Sequence, residues 1–202
     1  SVSNEKSLVL SHEQHGTMKV ELLSDGIRSM LAMVGDIAYR CIKLNPHFGI
    51  EAAKKTTGVV LIDEVDMHLH PRWQQLVLSQ LSEAFPNLQF VVTTHSPQVL
   101  SSVSSDCIRI LSNNKIFAAP PGTEGAEASR LLTRVLGVDV RPPENKATLE
   151  LNEYLSLVGK DQWSSPRALE LRLLLNARYQ GEEPALLEAD LLIENRKWEL
   201  GQ

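Results

Sequence analysis

The chain has 202 residues, of which 43% are hydrophobic and 22% are charged, and these proportions are typical of a globular protein rather than a disordered one. Its 20 basic and 25 acidic side chains give a net charge of −5, with no basic tail or stripe, so DNA binding is possible but is not indicated by charge. No apolar run approaches the roughly 18 residues that a membrane span needs, and we expect a cytoplasmic protein without a membrane partner.

The first predicted elements are two short strands, at residues 8–10 and 18–22, around a turn that contains His and Gly. A long helix is then predicted over residues 26–44, because apolar residues recur there at spacings of three and four. Asn45 and Pro46 end this helix, since the residue before a proline is disfavoured in the helical conformation.

The middle of the chain alternates between predicted strands and helices. Residues 58–62 form a continuous apolar run, typical of a strand buried on both faces of a parallel sheet, and a helix over 71–85 and a second strand over 88–93 follow. After a short helix that begins at Pro97, a hairpin is predicted from residues 108–111 and 115–118. This order predicts an α/β fold with a parallel sheet at its core.

The last third of the chain is predicted to be mainly helical. Residues 120–123 resemble a linker, and helices are predicted over 126–136, 147–158, 166–178 and 184–199. The predicted domains are therefore 1–119 and 120–202. The helical region carries no motif that assigns it a function: it is either an appendage that supports the first domain or a docking surface for a partner.

Two polar clusters follow the two predicted parallel strands. Asp63 and Glu64 come directly after the first strand, and α/β folds bind ligands at this edge of the sheet. One carboxylate can hold Mg²⁺ and the other can orient an attacking water, although a solvated acidic turn is the alternative. His95 follows the second strand, where an imidazole can donate a hydrogen bond to a phosphoryl oxygen, or have a purely structural role.

A third cluster precedes the long helix. Ser24 and Gly26 can present a hydroxyl and backbone N–H groups to an anion at the positive end of the helix. Ser24 can equally be an ordinary helix cap.

Together, and in this order, the clusters resemble the C-terminal lobe of an ABC-type ATPase head of the RecF/SMC kind, a P-loop NTPase fold, over residues 20–118. Residues 23–26 resemble the signature motif, and 59–64 resemble Walker B with its adjacent glutamate. Residues 64–71 resemble the D-loop in a His-Pro form, and 94–97 the switch-histidine loop. The residues of these motifs are most similar to those of bacterial AAA_21-like (and AAA_15-like) ATPases, a group that includes subunits of Septu and retron anti-phage systems.

The resemblance implies ATP and Mg²⁺ as ligands. Asp63 would assist Mg²⁺, Glu64 would be the general base, and His95 would contact the γ-phosphate. The signature residues would contact the ATP of a second subunit, and three further side chains are candidates for contacts across the dimer. The signature residues are Ser24, Asp25 and Gly26, and the further candidates are Arg28, Asp66 and His70. His70 departs from the Asp that many transporters carry, which leaves its role open.

The phosphate-cradling pattern Gly-x4-Gly-Lys-Ser/Thr, Walker A, does not occur in the 202 residues. We therefore expect a fragment that is inactive alone and belongs to a larger ATPase. In that ATPase, head-to-tail dimerisation across ATP would act as a switch in DNA repair or anti-phage defence, and a nuclease or other effector subunit is a candidate partner. The alternative is a non-catalytic interaction lobe that regulates a partner nuclease. A Toprim nuclease is less well supported, because the Asp-x-Asp pair that would hold its metal is missing. A transporter ATPase is also less well supported, because the sequence shows no feature that would couple it to a transporter.

Overall fold

The computed structural model describes residues 9–12 and 16–199. The strands are β1 (Val9–His12), β2 (Gly16–Lys19), β3 (Gly58–Ile62), β4 (Leu88–Val92), β5 (Arg109–Ser112) and β6 (Lys115–Ala118). The helices are α1 (Asp25–Leu44), α2 (Ala52–Lys55), α3 (Pro71–Gln74), α4 (Val77–Ala84), α5 (Pro97–Leu100), α6 (Ala128–Arg134), α7 (Lys146–Gly159), α8 (Pro166–Tyr179) and α9 (Pro184–Glu199). Short 3-10 turns occupy Val20–Leu22, Pro46–Glu51 and Ser105–Cys107. Leu8 and most of the predicted first turn, residues 13–15, lie outside the described residues.

The central sheet confirms the predicted parallel pairing. β3 and β4 run parallel, from Gly58 opposite Leu88 to Ile62 opposite Val92. One face of this sheet packs on α1 and α4, in a core that includes Ile37, Cys41, Val77, Leu81 and Phe85. The fold of the described residues is thus mixed α/β.

The other face of the central sheet is exposed, contrary to the prediction of strands buried on both faces. Val59, Leu61 and Val91 are 61%, 76% and 50% exposed. Successive side chains of a strand point to opposite faces, and the described helices cover only the face that carries Val60 and Phe90. The apolar run alone could not reveal that one of its faces is uncovered here.

The helix predicted over residues 71–85 is in fact two helices, α3 and α4. At the break, the Leu76 N–H donates to the Trp73 carbonyl at 3.0 Å, a three-residue bond that tightens the turn. Long-range contacts of Gln74, the last residue of α3, coincide with this break. The long helix α1, in contrast, has nearly the predicted bounds.

Beyond β4, the predicted hairpin is confirmed as β5 and β6. Asn113 and Asn114 link these strands with φ of 49° and 58°, as a two-residue type I′ turn requires. The segment predicted to be a linker packs instead: Thr123 is buried and its hydroxyl donates to the Val103 carbonyl at 3.0 Å. The first compact unit extends to Val138, whereas the domain assignment at residues 119/120 stays a prediction.

The second compact unit, described from Asp139 to Glu199, is mainly helical. Its helices α7, α8 and α9 start and end within one residue of their predicted positions. Leu151, Leu171 and Leu175 form the centre of its core, and the Arg172 guanidinium binds both carboxylate oxygens of Asp190 at 2.7 Å. Among the described residues, no helix combines the length and apolar character needed to cross a bilayer.

Candidate functional site

The carboxyl ends of β3 and β4 bring two of the predicted polar clusters to one edge of the sheet. The backbone pairing continues past both strands, since the Thr93 N–H donates to the Ile62 carbonyl at 3.0 Å and the Val65 N–H donates to the Thr93 carbonyl at 3.1 Å. Asp63 therefore lies beside Thr93, and Thr93 precedes His95 by two residues. Asp63 and His95 are both exposed, so this edge is open to a ligand.

The hydroxyl of Thr93 joins the two consecutive acidic residues. It donates to Asp63 Oδ1 and accepts from the Glu64 N–H at 2.8 Å. Glu64 itself has a φ of 49°, a left-handed conformation that is uncommon and costly for a residue with a side chain. The hydroxyl thus fixes both the Asp63 carboxylate and the sharp turn that leads to Glu64.

A second hydroxyl–carboxylate pair lies next to the first. Thr94 donates its hydroxyl to Asp66 Oδ1, and the same hydroxyl oxygen accepts from the Ser96 N–H at 3.0 Å. Asp66, predicted as a possible contact across a dimer, is thereby held within its own chain. His95 lies between Thr94 and Ser96, so its backbone is anchored on both sides.

The predicted signature segment approaches this site through its glycine. A Cβ on Gly26 would lie 2.3 Å from the His68 carbonyl oxygen, well inside contact distance, so a glycine is required there. His68, with a φ of 62°, belongs to the loop that starts at Asp63 and ends at His70. The N-terminus of α1 and this loop are therefore in direct contact.

The other predicted residues near α1 and α3 make local contacts. Arg28 pairs with Asp25, both well exposed, and Ser24 is exposed and makes no side-chain capping bond. His70 caps α3, where its Nδ1 accepts from the Arg72 N–H at 3.3 Å. The structure brings Asp63, Glu64, Asp66 and His95 to one edge and leaves Ser24, Asp25 and Arg28 on the exposed start of α1.

The charges at this edge suit a divalent cation better than a bare phosphate. Residues 63–70 hold three carboxylates and residues 93–98 add a histidine, without a lysine or arginine in either segment. Mg²⁺ prefers oxygen ligands and is usually bound by one or two carboxylates together with substrate phosphates. Among the described residues no three such side chains converge to hold a metal, so a cation bound by the exposed Asp63 carboxylate would take its other ligands from phosphate oxygens and water.

Sequence reasoning missed the groups that hold the site together. The sequence assigned no role to Thr93, the last residue of the second predicted strand, or to Gln74. Its amide donates to the Asp66 and Leu69 carbonyls at 3.3 and 3.0 Å and accepts from the Ser96 hydroxyl at 2.8 Å. A glutamine in a polar first helical turn carries no signal of such long-range contacts.

Comparisons with known proteins show that the chain is similar to proteins named as probable ATPases. Residues 5–101 match the AAA_21 family, described as "AAA domain, putative AbiEii toxin, Type IV TA system". The chain is 42% identical over 183 residues to "Retron Ec83 probable ATPase" of Escherichia coli, covering 91% of this chain and 33% of that protein. It is 48% identical over 155 residues to "Retron Vc95 probable ATPase" of Vibrio cholerae serotype O1 biovar El Tor, covering 74% of this chain and 30% of that protein.

A further relative is "Septu protein PtuA" of Bacillus mycoides (strain KBAB4), 37% identical over 120 residues, or 57% of this chain and 16% of that protein. The chain thus spans about a third of the length of the two retron relatives. The resemblance to retron ATPases and Septu proteins drawn from the sequence is confirmed.

Proposed function

We propose, from the match of residues 5–101 to the AAA_21 family, that the chain is part of an ATP-hydrolysing switch subunit of a bacterial anti-phage system. The observation that supports the proposal best is the edge where the ends of β3 and β4 meet. There, Thr93 joins Asp63 to the Glu64 backbone, next to His95. The names of the retron relatives, each a probable ATPase, agree with nucleotide hydrolysis.

The proposed chemistry assigns one task to each side chain. The Asp63 carboxylate, oriented by Thr93, would hold Mg²⁺ directly or through a water. The Glu64 carboxylate orients the attacking water and accepts its proton as the water oxygen bonds to the γ-phosphorus, while the bond from that phosphorus to the β,γ-bridging oxygen breaks and ADP leaves. The His95 imidazole donates a hydrogen bond to a γ-phosphoryl oxygen and stabilises the charge that develops there. Bound Mg²⁺ would supply the positive charge that this acidic edge needs before it can accept a triphosphate.

The proposed switch is a head-to-tail dimer of the whole protein across ATP. In the ABC-type arrangement that the sequence resembles, Ser24, Asp25 and Gly26 of one subunit would face the nucleotide of the other. Ser24 and Asp25 are exposed at the start of α1 and accessible for that contact, whereas Gly26 is buried against the His68 carbonyl. The γ-phosphate, present before hydrolysis and released after it, provides the difference between the two states that a switch requires. A nuclease or other effector subunit would respond to it.

A Glu64→Gln substitution in the full-length protein tests the proposal. We expect kcat for ATP hydrolysis to fall by about 10²–10³, as is typical when one such group is removed, while ATP binding persists and the dimer accumulates. Glu83→Gln is the matched control, because Glu83 is an exposed acid on α4 and its change removes the same charge away from the site. Turnover is measured by phosphate release and dimerisation by light scattering with and without ATP.

Equal turnover in the Glu64→Gln and Glu83→Gln proteins would contradict the assignment of Glu64. The remaining function for this chain would then be the non-catalytic lobe that regulates a partner nuclease. A dimer that accumulates equally with and without ATP would contradict the proposed switch. It would not contradict the proposal that the protein hydrolyses ATP.

A further inference from the structure

One half-buried side chain connects three segments of the candidate site. Gln74, at the end of α3, donates through Nε2 to the Asp66 carbonyl at 3.3 Å and to the Leu69 carbonyl at 3.0 Å. Its Oε1 accepts from the hydroxyl of Ser96, which is only 6% exposed, at 2.8 Å. Both donor hydrogens and the acceptor oxygen of the amide are therefore used in contacts with other segments of the site.

These contacts join the loop at residues 63–70 to the loop that carries His95. On one side, Gln74 holds the two carbonyls that flank His68, whose own carbonyl contacts Gly26. On the other side, it fixes Ser96, the residue after His95, which also caps α5 by accepting from the Gln98 N–H at 3.1 Å. A shift of either loop must therefore break or stretch bonds made by the same amide.

A glutamine suits this position better than other side chains of similar size. The position needs two N–H donors for the two carbonyls and one acceptor for the hydroxyl, and a primary amide supplies both from a single planar group. Glutamate keeps the acceptor but has no donor when ionised, and methionine has neither at similar length. The chemistry of the contacts therefore predicts a specific loss for each substitution.

We infer that Gln74 is a positioning residue that holds the His95 loop in its reactive place and couples it to the loop of residues 66–69 near Gly26. The inference rests on the proposed function, since it acts on the same site. Through Ser96, Gln74 sets where the His95 imidazole can reach a γ-phosphoryl oxygen. Through the Asp66 and Leu69 carbonyls, it links that placement to the segment that contacts α1.

The test uses the full-length protein and measures kcat and KM for ATP in Gln74→Met, His95→Gln and the double variant. We expect Gln74→Met to lower kcat about tenfold, as is usual when a group that orients a functional side chain is lost, and to leave KM within about twofold. In the His95→Gln background, the same substitution should have no further effect, because residues that act as a unit are not additive. Gln75→Met is the control: Gln75 is the exposed neighbour and bonds Gln98 at the surface.

Two outcomes would overturn the inference alone: kcat of Gln74→Met equal to that of Gln75→Met, or a full additional loss in the His95→Gln background. If Gln74→Met does not fold, Gln74→Glu is measured in its place. We expect a smaller fall in kcat for Gln74→Glu and again no further loss in the His95→Gln background. Unchanged turnover of Gln74→Glu would also overturn the inference. Unchanged turnover in both His95→Gln and Glu64→Gln would instead overturn the proposed function.

Discussion

The compact unit that ends at Val138, here called the sheet unit, and the unit that starts at Asp139, here called the helical unit, are stabilised in different ways. In the helical unit, Leu171 and Leu175 have no exposed surface, and the helices are joined by arginine–carboxylate pairs such as Arg178 with Glu150 at 2.7 Å. In the sheet unit, the loops of the candidate site are held by hydroxyl and amide hydrogen bonds, and Leu61 on the sheet surface is 76% exposed.

The helical unit is thus organised around a buried leucine core, whereas the candidate site of the sheet unit lies at an open sheet edge. Burying leucines stabilises a fold without fixing the position of any polar group, whereas hydrogen bonds add little net stability but are directional. We therefore expect substitutions in the helical unit to affect mainly unfolding, and substitutions at the sheet edge to affect mainly turnover.

The largest expected effect is on the helical core. Leu171→Ala should lower the free energy of unfolding by about 2–5 kcal/mol, since it leaves a cavity at a fully buried position. Leu173→Ala, at a position that is 72% exposed, should change it by less than about 0.5 kcal/mol. Urea denaturation followed by circular dichroism measures both, and equal values for the two variants would contradict the assignment of the core.

Two glycines of α1 provide a test in the sheet unit with opposite signs. Gly26→Ala should destabilise the chain by about 1–3 kcal/mol, because the new methyl group would overlap the His68 carbonyl. Gly35→Ala should stabilise it by about 0.5–1 kcal/mol, since nothing lies within 4 Å of that added methyl group. Thermal unfolding of the two variants decides the point, and a stabilised Gly26→Ala protein would show that α1 does not approach the loop closely.

A smaller effect, on turnover rather than stability, is expected at Thr93. Thr93→Val keeps the shape of the side chain but removes the hydroxyl that joins Asp63 to the Glu64 N–H, and kcat of the full-length protein should fall about tenfold. Thr57→Val, at an exposed position just before β3, is the control. If the two valine variants hydrolyse ATP equally fast, the hydroxyl does not orient the acidic pair.

The smallest effect concerns the acid dependence of the helical unit. Burial would raise the pKa of Glu183, but hydrogen bonds from Arg141 at 2.7 Å and from the Ala185 N–H at 3.1 Å outweigh it and hold the pKa below its usual value. A lowered pKa in the folded state contributes stability above the unfolded pKa of about 4.3, and this is lost as the pH falls through the folded value.

Glu183→Gln should therefore be less stable than the unsubstituted chain at about pH 6, with the difference narrowing toward about pH 3. Glu182→Gln, its exposed neighbour, should show no such narrowing. Denaturation midpoints across this range measure the difference, and a constant gap for Glu183→Gln would rule out the charged pair with Arg141 as its cause.

Local patterns in the sequence predicted the elements of the helical unit well. Pro166 and Pro184 each occupy the first turn of a helix, a position that proline favours, and the Asn113-Asn114 pair has the turn chemistry that a tight hairpin needs. The order of the strands also predicted that the groups after β3 and β4 share one edge, because parallel strands present their carboxyl ends together.

Features that depend on distant residues could not be predicted. The break between α3 and α4 accompanies contacts that Gln74 makes with residues up to 22 positions away, and periodicity does not detect these. The same holds for Thr93, whose hydroxyl bonds Asp63 across 30 positions. Whether the second face of the β3 and β4 pair is exposed depends on which helices cover it. A continuous apolar run in the sequence looks the same whether that face is covered or exposed.

The left-handed backbone at Glu64 implies a trade-off between folding and function. Glycine adopts that conformation without the steric penalty that a side chain incurs, so Glu64→Gly should relax the turn after β3 and raise the melting temperature while it removes the carboxylate. Selection for robustness alone would therefore favour a glycine at this position. A glutamate held there against that preference is what selection for its carboxylate would produce.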